Sequence, residues 1–257
     1  MTNEVRKILV TGAGSGLGLR FSIELAKRGH RVIGAVHLHS QMNCLEEAAK
    51  EAGVTVSVIK ADITDPVDRA YLARHDVDIL VNNAGIGEGG ALADMPMPVL
   101  RRQFEVNYFA TMEVSHPFIR RFAKRKRGRI VFISSIAGVI TGPFTGAYCA
   151  SKHALETSAR SLRNELKDLG VSVACINPGP YETGFNDRMV EAHKNWYCPE
   201  ESLISHEDLE FTKPQIDPDR DISEMVDVIL DDHSKARNVS PKEIIPEIRK
   251  MQDKEWD

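Results

Sequence analysis

Three residues near the middle of the chain have the types and spacing needed to move a proton onto a carbonyl oxygen. Tyr148 and Lys152 stand four apart at the start of a helical pattern, so both side chains are predicted to project from one helix face. Ser135 lies just after an apolar run at residues 129–133. When hydride adds to a carbonyl, the oxygen needs a proton, which a phenol can supply. A serine hydroxyl can hold the same oxygen by a hydrogen bond.

Lys152 is predicted to assist Tyr148 electrostatically. For the reverse reaction near neutral pH, the pKa of the phenol must fall from about 10 by about 3, which corresponds to about 4 kcal/mol. One ammonium group about 5 Å away contributes about 3 kcal/mol at an effective dielectric constant of about 20. We therefore expect Lys152, together with a positively charged nicotinamide ring, to lower the pKa of Tyr148.

A glycine-rich turn follows the first predicted strand and suits a pyrophosphate group. The chain from Thr11 to Gly18 fits the pattern T-G-x-x-x-G-x-G rather than G-x-G-x-x-G. Glycines let the backbone turn tightly and approach a phosphate, and the helix N-terminus behind them offers free N–H groups. The residues predicted to bind a dinucleotide here are Gly12, Ser15, Gly16, Leu17 and Gly18.

The end of the second predicted strand bears on the choice of cofactor. An acid that binds the adenosine ribose usually stands there, but this chain has His37 and His39, and the nearest acid downstream is Glu46. A 2′-phosphate would be tolerated, and either histidine could supply partial positive charge. We therefore expect NADP as the preferred cofactor, with NAD as the alternative and His37 among the contacts. Simple surface exposure explains the histidines equally well.

The elements that must position these residues are predicted strands and helices, which alternate along the chain. The predicted strands are the β-branched runs at residues 8–10, 31–36, 55–60, 78–81, 129–133 and 171–176. The predicted helices cover residues 20–27, 41–51, 67–74, 98–125 and 148–169, with one or two more in residues 223–256. This alternation indicates right-handed crossovers, and therefore an α/β fold with a doubly wound parallel sheet of Rossmann type.

No linker divides the chain, so residues 1–257 are expected to form a single domain with an insertion after the sixth strand. Residues 184–219 are polar and broken by prolines, and an irregular stretch this long is usually functional. Its large apolar side chains either line a substrate pocket under a lid or anchor the loop to the body. They are Phe185, Met189, Trp196, Tyr197 and Phe211. Opposite them, the glycines at positions 85, 87, 89 and 90 are expected to make a loop mobile.

With these motifs in one order, the chain resembles the short-chain dehydrogenase/reductase family, in its single-domain branch of about 250 residues. The resemblance covers residues 7–183 and implies an oxidoreductase that interconverts a secondary alcohol and a ketone. The residues that it implies for catalysis are Asn107, Ser135, Tyr148 and Lys152. The further residues that it implies for cofactor binding, besides Tyr148 and Lys152, are Asp62, Ile63, Asn83, Ala84, Gly85, Pro178, Tyr181 and Thr183.

The resemblance also implies what these residues do. Asp62 and Ile63 would contact the adenine, and Lys152 would hold the nicotinamide ribose. Asn107 would position a water that connects Lys152 to solvent, and Tyr181 and Thr183 would contact the nicotinamide end. A homo-oligomer is implied, with dimer contacts through the helices at 98–125 and 148–169, while the polar C-terminus leaves a tetramer in doubt. Residues 148–156 resemble members that act on bulky apolar alcohols.

The composition argues against other classes of partner. The net charge of −4 disfavours a nucleic-acid binder, and no run of about 18 apolar residues could span a membrane. The four cysteines lack the spacing of a metal site, so we expect free thiols, no metal and a cytoplasmic location. The basic run at residues 120–129 is predicted to be a solvated helix end.

Two alternative functions are weighed against the oxidoreductase. One is a nucleotide-sensing regulator that has kept the fold and lost catalysis, but a binding module needs no tuned phenol. The other is epimerisation of a sugar nucleotide, which also uses a tyrosine and a lysine at this spacing. The short chain and the form of the glycine-rich turn disfavour the epimerase.

Overall fold

The computed structural model describes residues 4–207, 209–211 and 213–256, and a sheet of seven parallel strands runs through them. In chain order the strands are β1 (Lys7–Thr11), β2 (Arg31–Val36), β3 (Val56–Lys60), β4 (Ile79–Asn82), β5 (Gly128–Ile133), β6 (Val171–Pro178) and β7 (Arg237–Ser240). The spatial order is β3-β2-β1-β4-β5-β6-β7, so the winding reverses between β1 and β4. The predicted doubly wound parallel sheet is confirmed.

Helices cover both faces of this sheet. They are α1 (Gly16–Lys27), α2 (His39–Glu51), α3 (Pro66–Leu72), α4 (Met97–Phe104), α5 (Thr111–Arg125), α6 (Gly146–Glu165), α7 (Phe185–Glu191), α8 (Ile222–Leu230) and α9 (Ile245–Asp253). Phe21 of α1 and Met225 of α8 belong to the core on one face. Phe118 of α5 and Leu155 of α6 belong to the core on the other. None of the helices within the described ranges is long and apolar enough to cross a membrane.

The segment predicted as one helix at residues 98–125 is divided in the structure. A π-helical turn, Glu105–Ala110, joins α4 to α5. Such a turn accommodates an extra residue in the helical repeat and often marks a functional position. Here it contains Asn107, whose side chain is buried against the loop after β4. Apolar periodicity does not reveal the turn because the flanking segments keep nearly the same buried face.

The prediction of helices alone for residues 223–256 is wrong, because β7 lies between α8 and α9. Its four residues pair in parallel with β6, in register from Cys175–Arg237 to Pro178–Ser240. The strand is short and polar, and only Ser240 is buried, so the sequence carries no apolar alternation to reveal it.

Arg129 departs from the expectation of a solvated basic run. Its side chain is 1% exposed, and its guanidinium donates to the carbonyls of Val228 and Ile229 and to the Ser234 hydroxyl, at 2.7–2.8 Å. Burial lowers the pKa of Arg129 to about 10. Arg129 therefore joins the start of β5 to the C-terminus of α8, whose last carbonyls would otherwise lack partners.

Candidate active site

Ser135, Tyr148 and Lys152 converge at the carboxyl edge of the sheet. Ser135 follows β5 and begins a short 3₁₀ turn, where its hydroxyl accepts a hydrogen bond from the Ala137 N–H at 3.1 Å. The phenol of Tyr148 is hydrogen-bonded to the same serine hydroxyl. The Nζ atom of Lys152 lies 5.7 Å from the centre of the Tyr148 ring and donates to the Ile133 carbonyl at 2.9 Å. The predicted convergence of the three side chains is present in the structure.

Burial dominates the electrostatics of this group. It raises the pKa of Tyr148 well above its ordinary value, and the hydrogen bond to Ser135 offsets only part of that effect. It also lowers the pKa of Lys152 to about 8, against an opposing influence of Cys175 and Glu156. The protein's own groups therefore do not lower the pKa of the phenol, and the sequence-based expectation depends on the additional charge of a bound nicotinamide.

Asn107 lies behind the lysine and not on the wall of the site. Its Oδ1 atom accepts from the Ile86 N–H at 2.8 Å, and its Nδ2 atom donates to the Ile86 carbonyl and to the Ser151 hydroxyl at 3.0 and 3.1 Å. A Cβ atom on Gly85 would lie 3.2 Å from Asn107 Oδ1 and 3.7 Å from Lys152 Nζ. The amide oxygen and the ammonium therefore border the same small space.

These side chains open into a cleft of about 1800 Å³ between the glycine-rich turn, the carboxyl ends of β4 to β6, and the insertion. The cleft crosses the sheet at the reversal between β1 and β4, where open α/β sheets bind dinucleotides. Apart from Gly18 and Asn107, every residue predicted for catalysis or cofactor binding lines it.

The glycine-rich turn has the backbone that a bound pyrophosphate requires. Gly12 and Gly16 have φ angles of +65° and +56°, and a Cβ atom on Gly12 would lie 2.7 Å from the Ala84 backbone. Ser15 precedes α1 without capping it through its side chain, which leaves the first N–H groups of the helix to a ligand. The residues present therefore fit a dinucleotide.

Gly18 is the one predicted cofactor residue that does not face the cleft. A Cβ atom there would lie 2.3 Å from both the Gly12 carbonyl oxygen and Asn83 Nδ2. Asn83 in turn donates to the carbonyls of Thr11 and Gly12 at 3.0 Å. Gly18 thus allows α1 to pack closely under the turn, and its role is structural rather than one of direct contact.

The adenosine end of the cleft contains an unexpected contact between a histidine and a carboxylate. His37 Nε2 lies 3.2 Å from Asp62 Oδ2, and Ile63 lies beside them. Burial alone would raise the pKa of Asp62, but hydrogen bonds from Thr64 and the contact with His37 hold it below its usual value. The sequence has no carboxylate directly after β2. In the structure the Asp62 carboxylate, which follows β3, lies close to the end of β2.

At the opposite end, Pro178, Tyr181 and Thr183 line the cleft after β6. The hydroxyl of Tyr181 turns away from it, since it donates to Asp221 at 2.6 Å and lies 2.9 Å from the Ser240 hydroxyl. The Tyr181 hydroxyl is therefore not available to a ligand in the cleft.

The apolar residues of the insertion divide between the two roles left open by the sequence. Phe185, Met189 and Phe211 line the cleft, and the ring of Phe185 lies 5.5 Å from that of Tyr148. Trp196 and Tyr197 instead pack on the buried ring of His206, with centroid distances of 5.5 and 4.3 Å. His206 belongs to the insertion, and its Nε2 atom accepts a hydrogen bond from the Ala91 N–H at 2.8 Å, so this cluster anchors the insertion to the body.

Three glycines of the facing loop make room for this insertion. A Cβ atom on Gly87 would lie 2.6 Å from Met189 Cγ, and one on Gly89 would lie 2.4 Å from the Met189 carbonyl oxygen. A Cβ atom on Gly90 would lie 2.4 Å from Trp196 Cζ2. Close packing accounts for these glycines, whereas the sequence suggested loop mobility.

Sequence reasoning missed a buried polar group next to the catalytic side chains, formed by Glu156, Asn177 and Arg237. Glu156 accepts from Asn177 Nδ2 at 2.6 Å and from Arg237 Nε at 3.3 Å. The group comes from α6, β6 and β7, so no local motif joins it. The one available signal was the spacing of Glu156, four residues after Lys152.

Comparisons with known proteins agree with this geometry. A family model described as short chain dehydrogenase matches residues 6–194. The uncharacterized oxidoreductase YbbO of Escherichia coli is 34% identical over 189 residues, which cover 72% of this chain and 69% of YbbO. The NADPH-dependent 3-dehydrocapnine reductase of Ornithobacterium rhinotracheale is 35% identical over 191 residues, 70% of this chain and 66% of that one.

A solved structure extends the likeness to nearly the whole chain. A variant of actinorhodin polyketide ketoreductase with NADPH superposes with a TM-score of 0.77 at 26% identity, covering 93% of this chain and 96% of that one. The similarity thus extends beyond residue 194, where the family match ends.

Proposed function

This chain belongs to the short-chain dehydrogenase/reductase family, and we propose that it interconverts a bulky, apolar ketone and the corresponding secondary alcohol. It is an NAD(P)-dependent enzyme that acts on CH–OH groups. The observation that carries the proposal is the hydrogen bond between Tyr148 and Ser135 beside the Lys152 ammonium, inside a cleft that also contains the glycine-rich turn.

In the direction of reduction, Tyr148 gives its proton to the substrate oxygen. Ser135 donates a hydrogen bond to that oxygen, and Lys152 stabilises the phenolate that remains. The nicotinamide, when bound, supplies the hydride. Asn107 would hold a water that returns a proton to Tyr148 through Lys152. Burial raises the pKa of Tyr148, so the phenol still carries its proton when the substrate arrives.

The proposed cofactor is NADPH. No carboxylate follows β2 before Glu46 in the sequence, and His37 projects from the end of that strand with 61% of its side chain exposed. The Nε2 atom of His37 lies 3.2 Å from Asp62 Oδ2, and an imidazolium at this exposed position would attract a 2′-phosphate. The NADPH-dependent reductase that is similar to this chain supports the same choice.

The cofactor proposal is tested by measuring the dissociation constants of NADPH and NADH by fluorescence titration. We expect His37→Ala to weaken NADPH binding by about 5- to 20-fold, the size of one charge-assisted contact, and to leave NADH binding nearly unchanged. His39→Ala is the matched control, because His39 is exposed and does not line the cleft. A wild-type preference for NADH would contradict the proposal.

The proposed substrate class rests on the wall of the cleft beyond Tyr148. Its apolar side chains are Ile140, Phe144, Phe185, Met189 and Phe211. We propose that the whole chain acts as one catalytic domain and that residues 184–219 form the lid over this apolar part. A volume of about 1800 Å³ accommodates a dinucleotide and a large second molecule.

The experiment that tests the function is a panel of ketones and secondary alcohols, monitored by nicotinamide absorbance in the wild type and in Tyr148→Phe. We expect turnover on bulky apolar ketones, and a loss of at least about 1000-fold in kcat in the variant, which keeps the ring but has no proton to give. Turnover that survives the substitution would contradict the role of Tyr148. Nucleotide binding with no turnover on any substrate would favour the sensing regulator.

A further inference from the structure

We propose that Glu156 is a positioning residue for this reaction, holding Ser135 in place through Asn177 and stabilising the charge of Lys152. The inference rests on the proposed function, since it concerns the residues assigned to proton transfer there. Glu156 itself is 3% exposed and does not line the cleft.

The first link is a hydrogen-bonded chain from Glu156 to Ser135. Asn177 Nδ2 donates to Glu156 Oε1 at 2.6 Å and to the Ser135 carbonyl at 3.0 Å. Both partners are acceptors, so only this orientation of the amide satisfies them. Because the Ser135 hydroxyl also binds the Ala137 N–H, both the backbone and the side chain of the serine are fixed before a substrate arrives.

The second link is electrostatic. Glu156 follows Lys152 by one turn of α6, a separation of about 6 Å between neighbouring side chains. The titratable groups that face Lys152 are Tyr148 and Glu156 from its own helix and Cys175 from β6. Burial lowers the pKa of Lys152, and the carboxylate opposes that effect. Glu156 therefore helps to keep the buried ammonium charged at neutral pH.

Arg237 of β7 completes the arrangement on the other side of the carboxylate. Its Nε atom lies 3.3 Å from Glu156 Oε2, and its side chain is 37% exposed against 4% for Glu156. Glu156 also faces Asn177 and the Cys175 thiol, both on β6. A glutamine at position 156 would still accept the bond from Asn177, so the hydrogen bond alone does not require a charge. A buried carboxylate is costly, and its effect on Lys152 gives it a function.

The test compares Glu156→Gln with the wild type in the pH dependence of kcat for ketone reduction. The active lysine is protonated, so activity is lost as pH rises through its pKa. Removing the carboxylate should move the alkaline limb of the pH profile to lower pH by about 0.5 to 2 pH units. This is the range for one charge at about 6 Å with dielectric constants of about 80 to 20. The KM value should be nearly unchanged. Glu165→Gln, an exposed glutamate on the same helix, should leave the limb in place.

Arg237→Gln provides a second variant with the opposite sign, in case Glu156→Gln does not fold. Removing the partly exposed cation leaves the carboxylate less compensated, so the alkaline limb should move upward. Lys152 is also titrated without turnover, by NMR of ¹³C-lysine-labelled protein, with Lys152→Arg assigning its resonance. Shifts of opposite sign would support the inference. A titration unchanged in both variants would overturn it, whereas an inactive wild type would overturn only the proposed function.

Discussion

At the scale of single residues, Ser135 is held more firmly than its neighbour Ser134. The Ser135 hydroxyl binds the Ala137 N–H and the Tyr148 phenol, whereas the buried Ser134 hydroxyl has no hydrogen-bond partner among the described residues. A donor fixed in advance gains transition-state stabilisation without reorganising when charge develops. The two adjacent serines therefore offer a comparison in which the same atom is removed with different expected results.

We predict that Ser135→Ala lowers kcat for ketone reduction by about 100- to 1000-fold, the effect of one donor to a developing oxyanion. Ser134→Ala should change kcat by less than about threefold, because the lost hydroxyl makes no hydrogen bond there. Steady-state kinetics of both variants, with circular dichroism to verify folding, would measure the difference. Equal losses in the two variants would mean that the defect is one of packing.

The sequence predicted the catalytic residues because each has a local signature. Tyr148 and Lys152 share a helix face, and Ser135 follows a strand that the β-branched pattern identifies. Glu156 and Asn177 have no such signature, since only the packing of α6 on β6 brings them within 2.6 Å. Burial of Tyr148, which raises the pKa of its phenol, also could not be read from the sequence.

At the scale of elements, two irregular pieces of backbone place the site. The π-helical turn Glu105–Ala110 directs Asn107 at the loop after β4, and β7 brings Arg237 and Ser240 beside β6. The sequence did not predict either piece. The π-helical turn lies inside a long amphipathic pattern, whereas β7 is too polar to have an amphipathic pattern of its own. The regular strands and helices around them follow the predicted order, because their burial patterns dominate the local composition.

The junction between β5 and α8 gives a prediction about stability. Arg129→Met should lower the free energy of unfolding by about 2–4 kcal/mol, since it removes the donors to two carbonyls and two hydroxyls inside the protein. The kcat value should change little, because Arg129 lies at the amino end of β5, opposite the cleft.

Urea unfolding followed by fluorescence measures this prediction. The matched control is Arg127→Met, where the side chain is 55% exposed and paired with Glu4 at the surface. Its effect should stay below about 0.5 kcal/mol. A similar small effect at position 129 would show that water replaces the guanidinium in the interior.

At the scale of the whole molecule, the surface of α4, the π-helical turn and α5 is a candidate for self-association. Phe109 projects from it with 52% of its surface exposed, and Met97 with 55%. The family resemblance implies a dimer through the helices at 98–125 and 148–169. We propose a homodimer on this face, because large apolar side chains exposed at an expected contact are stabilised by burial.

Sedimentation velocity tests the proposed dimer. We expect the wild type to sediment at twice the chain mass, and Phe109→Glu to shift the population toward the monomer, since a charge would be buried at the contact. Val67→Glu is the control, because Val67 is 74% exposed on α3, outside the proposed face. A wild-type monomer at all concentrations would contradict the proposal.

The three glycines at positions 87, 89 and 90 have a consequence for protein engineering. Each lies within 2.7 Å of the insertion, measured from the Cβ atom that it lacks, so the insertion and the glycine loop form one fitted unit. Transplanting residues 184–219 from a relative, to change which substrates are accepted, should therefore fail unless the glycine loop is exchanged with them. Selection for new substrates would, for the same reason, change the two segments together.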